Sequence, residues 1–283
     1  MAPRPSDWLR RAFYEASRSN RYSRGVGRVS DLHLPRPVLD RMIAAYCRVY
    51  GVSLDECEVP EGGFDTFDRF FTRRLKPGVR PVDPDPAVVT SPADGRVQAV
   101  GEVTRGVMIQ AKGRSYRLDA LLGDSAPCAR LEGGTYVTIY LSPRDYHRVH
   151  FPCDGEVTGC RHIPGRLYTV APRATEIVDR LLARNERLTT LMRCGDRTAA
   201  VVMVGAVGVG RISVAYGPMV TNVGRRYGGK AFDPPVPVSK GADLGEFHLG
   251  STVVMVLQRG PWDYVGPEVG APVRMGQPLL RVR

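Results

Sequence analysis

The sequence predicts an α+β protein in which amphipathic N-terminal helices (residues 1–80) precede a mainly β, barrel-like domain (residues 81–283). Apolar residues recur at helical spacing near the N-terminus, and a proline-rich stretch follows. Beyond it, short β-branched runs alternate with glycine and proline.

Trp8, Leu9, Ala12, Phe13 and Ala16 fall on one helical face, and Leu39, Met42, Ile43, Tyr46 and Tyr50 repeat the pattern after Pro37. The first fifty residues hold ten arginines against four acidic residues, so these helices suit an anionic membrane surface as well as a protein core. Phe64, Phe67, Phe70, Phe71 and Leu75 follow at mixed helical spacing. The breaker Lys76-Pro77-Gly78 and Pro81, Pro84 and Pro86 then mark the boundary. Gly134–Leu141 and Thr252–Leu257 read as strands. Pro92-Ala-Asp-Gly-Arg-Val97 and Pro152-Cys-Asp-Gly-Glu-Val157 share one pattern, a turn entering a strand. Gly270–Leu279 is similar to the hammerhead turns of lipoyl-like domains, which favours a curved, barrel-like sheet. One longer helix is expected over Ala174–Leu191, where Ile177, Leu181 and Leu188 recur among charged residues.

The chain has 283 residues, 43% of them hydrophobic, enough for one large core. A net charge of +11, carried mostly by arginine, implies an acidic partner. A nucleic-acid-binding module would need exposed stacking aromatics in the β region, and the charge and aromatics concentrate N-terminally instead. Six scattered cysteines without CxxC spacing suggest a reducing, cytoplasmic setting. The apolar run Ala199–Gly210 is too short to span a bilayer.

Two segments carry candidate chemistry. His147 and His150 lie between Pro143 and Pro152, in a stretch that disfavours a helix. An extended chain would send them to opposite faces. Cys153, Cys160 and His162 lie nearby, but their spacing fits no standard zinc site, so no metal is expected. In His248-Leu-Gly-Ser-Thr252, Ser251 follows an unhindered glycine whose carbonyl its hydroxyl could attack, given a base. Asp94, His150 and Ser251 would supply the carboxylate, imidazole and hydroxyl of a triad, and triads occur in several chain orders.

An ordered set of motifs then resembles the phosphatidylserine decarboxylases over most of the chain: Phe67-Asp-Arg-Phe-Phe-Thr-Arg-Arg-Leu-Lys-Pro77 with Arg80-Pro81, Pro92-Ala-Asp-Gly95, Lys112-Gly113, Leu141-Ser-Pro-Arg-Asp-Tyr-His-Arg-Val-His150, Ala183–Arg187, Lys240-Gly241 and Leu249-Gly-Ser-Thr252. The chain departs from the family pattern at Ala171, where many members have asparagine, and at His248, a position often not histidine. The resemblance implies a zymogen in which Asp94 orients His150, which deprotonates Ser251 for attack on Gly250. Autocatalytic cleavage would give a β chain (1–250) and an α chain (251–283), with Ser251 becoming a covalent pyruvoyl group, the only cofactor. That group would form a Schiff base with phosphatidylserine and yield phosphatidylethanolamine, with His147 as proton donor or orienting group. The implied partners are phosphatidylserine, an anionic membrane surface, the chain's own two fragments and further copies of itself, with no nucleic acid. The implied location is peripheral, on the cytoplasmic face of the cell membrane. The alternatives are a pyruvoyl decarboxylase for another serine-headed lipid or an amino acid, and a Ser-His-Asp hydrolase that stays uncut.

Overall fold

A computed structural model describes residues 20–111, 114–208, 211–224, 227–248 and 251–283. The expected helix around Trp8–Ala16 lies outside the described residues.

The helical part begins with α1 (Asn20–Ser30) and α2 (Arg36–Tyr50). Pro37 fits the first turn of α2, where its missing N–H costs nothing. The helix stops at Gly51, whose left-handed φ of 69° lets its N–H bond back to the Cys47 carbonyl. Leu39 and Ile43 pack on Phe64 and on α3 (Phe67–Phe71), and Tyr46 meets Phe67 and Phe70 edge-on at 5.3 and 5.7 Å. Thr66 caps α3 by accepting from the Arg69 N–H.

Sixteen strands follow among the described residues: β1 (Val88–Thr90), β2 (Gly95–Glu102), β3 (Val107–Ala111), β4 (Arg114–Arg117), β5 (Thr135–Leu141), β6 (Arg148–His150), β7 (Gly155–Ile163), β8 (Arg187–Cys194), β9 (Arg197–Gly205), β10 (Ile212–Val214), β11 (Gly229–Val238), β12 (Asp243–Phe247), β13 (Ser251–Leu257), β14 (Trp262–Tyr264), β15 (Pro272–Val273) and β16 (Pro278–Val282). Eight form one sheet in the order β11-β7-β8-β9-β13-β5-β2-β15. Two three-stranded sheets, β1-β16-β14 and β6-β12-β10, complete the main core. The opposite face of the large sheet is covered by α4 (Leu118–Leu122), α5 (Cys128–Leu131), α6 (Pro172–Ile177), α7 (Leu181–Arg184) and the β3-β4 hairpin.

The α+β class is as expected, but the sheets do not close into a barrel. β15 is only two residues long, and β11 carries Asp-Pro-Pro at a register break between Ala231 and Val236. Both ends of the sheet therefore lack the N–H groups a closing ladder would need. The single helix expected over Ala174–Leu191 is also corrected. It is two short helices followed by β8, because Arg180 takes a left-handed φ of 52° and Asn185 breaks the pattern. The Asn185 side chain accepts from Tyr168 N and donates to the Tyr168 and Gly205 carbonyls at 2.8–3.0 Å, replacing helical hydrogen bonds.

The repeated Asp-Gly pattern marks an internal two-fold. His150 N donates to the Pro92 carbonyl at 2.8 Å, and Thr90 N donates to the Pro152 carbonyl at 3.0 Å. Asp94 accepts from Met275 N, and Asp154 accepts from Lys240 N, both at 2.8 Å. Gly95 and Gly155 each open a strand where a Cβ would strike the carbonyl of the neighbouring strand. One half thus comprises β1, β2 and β5 with β13–β16, and the other β6, β7 and β8 with β9–β12. Residues 251–283 are woven into the first half rather than appended to it.

Candidate active site

Ser251 opens β13, opposite Leu141 of β5 and Gly205 of β9. Val253, Met255 and Leu257 enter the core beneath the small sheets, while Val254 and Val256 face the helices, so β13 is buried on both faces. The Ser251 side chain is fully buried, and its Oγ has no hydrogen-bond partner among the described residues. Leaving a hydroxyl in that state costs about 1–3 kcal/mol, which asks for a chemical reason. Thr138 and Thr252 hydroxyls share this condition, so burial alone does not single out Ser251.

His147 and His150 are separated in orientation. Within β6, Val149 enters the core, whereas Arg148 and His150 turn toward Asp243, at 3.2 and 3.5 Å. His147 precedes the strand, and its ring packs against Phe71 with centroids 4.2 Å apart. Its Nδ1–H donates to the Asp145 carbonyl at 2.8 Å, so Nε2 is the acceptor nitrogen, and it is buried without a partner among the described residues. Burial pushes the His147 pKa down to about 3. The Asp145 hydrogen bond opposes this, and the Arg73 charge adds to it.

His150 uses both ring nitrogens. Nδ1 donates to the Gly241 carbonyl at 2.9 Å, and Nε2 accepts from the Tyr146 hydroxyl at 3.2 Å. Burial lowers its pKa, while the Gly241 bond and the charges of Asp243 and Asp94 work the other way. Asp94 is itself clamped by Arg80, at 3.0 Å from Nε and 2.6 Å from Nη2. Glu56 holds Arg80 from the other side at 2.8 Å. Arg80, Tyr146, His150, Gly241, Asp243 and Met275 line one cavity of about 440 Å³. The Asp94 charge thus reaches His150, where it opposes the effect of burial. Among the described residues no hydrogen bond joins them, nor either of them to Ser251.

A second opening lies beside Phe71, the ring that packs on His147. Between α1, α2 and α3 runs an apolar groove of about 840 Å³ lined by Val26, Val29, Met42, Tyr46, Phe67 and Phe71. It shares Val49, Tyr50 and Pro143 with a smaller polar cleft of about 360 Å³ that holds Arg96, Arg144 and Asp145. The helices are fastened to this region by Tyr46, which donates to the Pro143 carbonyl at 3.0 Å, and by Arg148, which donates to the Thr72 carbonyl at 2.9 Å.

A family model described as phosphatidylserine decarboxylase matches residues 67–281. The chain belongs to this family. A phosphatidylserine decarboxylase proenzyme of Anaeromyxobacter sp. (strain K) is 43% identical over 265 residues, covering 92% of this chain and 93% of the relative. The proenzymes of Myxococcus xanthus and Bordetella petrii are 42% and 41% identical, covering 89% and 91% of this chain and 90% and 91% of their own length. As a phosphatidylserine decarboxylase family member, the chain has surroundings of His150 that sequence reasoning missed: Tyr146, Asp243 and the Gly241 carbonyl. Tyr146 and Gly241 belonged to quoted motifs, but nothing in their spacing signalled contact with the imidazole.

Proposed function

We propose that the chain is a proenzyme that cuts itself between Gly250 and Ser251 and then decarboxylates phosphatidylserine to phosphatidylethanolamine. The observation that carries this reading is the place of Ser251: its buried hydroxyl, unpartnered among the described residues, directly follows Gly250 at the head of a strand paired on both sides, in a chain of the phosphatidylserine decarboxylase family. Burial keeps His150 neutral near neutral pH, and its Nδ1–H is fixed by Gly241, so Nε2 is the nitrogen that can take a proton. Ser251 Oγ attacks the Gly250 carbonyl carbon as its proton passes to His150. The C–N bond breaks, the proton goes to the departing nitrogen, and an ester joins Gly250 to Oγ. Loss of the Ser251 Cα proton expels the Gly250 carboxylate and leaves dehydroalanine. Its imine tautomer takes up water and releases ammonia, which leaves a pyruvoyl group heading residues 251–283. Asp94 and Asp243 favour the imidazolium through their charge, a long-range version of the relay expected of Asp94.

The pyruvoyl group supplies the electrophilic carbonyl for the substrate amine and the electron sink for loss of carbon dioxide. The residues present fit it: Ser251 lies in a strand that is buried along its whole length, and the unpartnered His147 Nε2 offers an acceptor. With a pKa near 3 and Nδ1–H committed to Asp145, His147 takes the orienting part of its expected role rather than that of a cationic acid.

The apolar groove beside an arginine-bearing cleft suits an amphiphile with acyl chains and an anionic head group. Val29, Leu32, Val38, Val49 and Tyr50 are exposed on and around α1 and α2, which supports peripheral docking on a membrane, and the arginine excess of the first fifty residues suits an anionic leaflet such as the cytoplasmic one. No described helix is long and apolar enough to cross a bilayer. Because β13 is laddered to β5 and β9, the two fragments stay together as a heterodimer after cleavage. Carbon dioxide release from carboxyl-labelled phosphatidylserine in mixed micelles tests the reading against free serine as competitor. Release from free serine alone would assign the site to an amino acid instead.

A further inference from the structure

A second cluster of ionisable groups, built on the buried carboxylate of Asp68, gathers just before the proposed cleavage point. His248 is the last described residue ahead of it, and both its ring nitrogens are engaged. Nδ1 lies 2.8 and 3.0 Å from the two carboxylate oxygens of Asp68, and Nε2 lies 3.0 Å from the Ser213 hydroxyl. Arg211 bonds Asp68 at 2.7 Å and Asp31 at 2.5 and 2.7 Å, and its carbonyl accepts from His248 N at 3.0 Å. Glu246 Oε1 lies 3.8 Å from Nε2. Burial would raise the Asp68 pKa, but the hydrogen bonds and charges of His248 and Arg211 outweigh it, so the carboxylate stays ionised. Asp31 follows α1, Asp68 belongs to α3, Ser213 to β10, and His248 follows β12, so the cluster joins four separate segments around one imidazole.

The placement has a mechanical consequence. One residue earlier, Phe247 N donates to the His147 carbonyl at 2.9 Å, and three residues later Ser251 is locked between β5 and β9. Only Leu249 and Gly250 lie between two fixed points, and each residue reaches at most about 3.3–3.6 Å. Attack of Oγ on the Gly250 carbonyl requires an approach of about 3–3.5 Å, and misplacement by about 1 Å costs on the order of a hundredfold in rate.

We propose that His248, anchored by Asp68 and Ser213, is a positioning residue for self-cleavage: it fixes the chain entering the scissile bond and touches no reacting atom. This rests on the self-cleavage reading above. The test follows cleavage of newly synthesised full-length chain over time by gel and mass, for wild type, His248→Ala and His248→Asn, whose amide can still donate to Asp68. Thermal midpoints are measured on the same substitutions in the uncut Ser251→Ala background. The expected result is cleavage slowed on the order of ten- to a hundredfold by His248→Ala at an unchanged midpoint, with most of the rate restored by His248→Asn. Cleavage of His248→Ala at the wild-type rate overturns the proposal. So does slowing matched by a fallen midpoint, which would make the cluster merely structural, or a His248→Asn variant as slow as alanine. Failure of wild type itself to cleave overturns the underlying self-cleavage reading, an outcome distinct from all of these.

Discussion

Acid should destabilise the uncut precursor through His147, by an amount the structure allows to be worked out. Burial lowers this pKa from 6.5 to about 3, so in mildly acidic solution the unfolded chain binds a proton that the folded chain does not. The stability this group provides is therefore fully present above pH 6.5 and is lost as pH falls toward 3. Each pH unit below the unfolded value costs about 1.4 kcal/mol, so at about pH 5 the loss is on the order of 2 kcal/mol. For a chain of this size that corresponds to a fall in Tm of roughly 4–8 °C. His150, also lowered by burial, adds to it in the same direction. The assay is thermal unfolding of Ser251→Ala at about pH 7 and about pH 5, with and without His147→Asn, which keeps a donor for the Asp145 carbonyl and does not titrate. The acid-induced fall should be smaller in the double variant by about 2 kcal/mol. Equal falls in the two proteins would show that His147 is not held neutral by burial, and the orienting role assigned to it would go too.

Three further outcomes are expected. Asp94→Asn leaves the largely buried Arg80 charge with only Glu56, so it should abolish cleavage and destabilise the precursor by about 3 kcal/mol in urea unfolding. Wild-type cleavage in that variant would remove Asp94 from the mechanism. The self-cleavage rate should be flat above the ordinary histidine value of 6.5 and fall only in acid, because His150 is shifted downward; a rate still climbing through neutral pH would contradict His150 as the base. Replacing exposed Val49 and Tyr50 together by aspartate should weaken sedimentation with anionic vesicles several-fold without changing self-cleavage, and unchanged sedimentation would move the docking face elsewhere.

Local patterns were legible in the sequence where a single element determines them. The apolar stripe from Leu39 to Tyr50 after Pro37 gave α2, and the β-branched run Thr252–Leu257 gave β13. The Asp-Gly echo was visible as a pattern, but its meaning needed the reciprocal bonds of His150 and Thr90 across the interface. The helix expected to reach Leu191 failed because Ile177, Leu181 and Leu188 satisfy helical spacing on both sides of a break. The chain breaks at Arg180, which turns left-handed, and again at Asn185, whose partners Tyr168 and Gly205 are remote in sequence. Barrel closure failed for a similar reason, since it depends on whether two distant edges can pair. Site residues followed the same division. The residue types at Asp94, His147, His150 and Ser251 were readable, but Arg80 on Asp94 and Asp243 beside His150 are contacts that only folding creates.

Intact-mass spectrometry on freshly purified wild-type protein decides whether the chain cuts itself, and it needs no substrate. Two chains are predicted, one ending at Gly250 and the other comprising residues 251–283, the latter lighter by one ammonia than the same peptide headed by serine. A single chain that stays uncut on prolonged incubation would contradict self-cleavage and leave Ser251 as an ordinary buried serine.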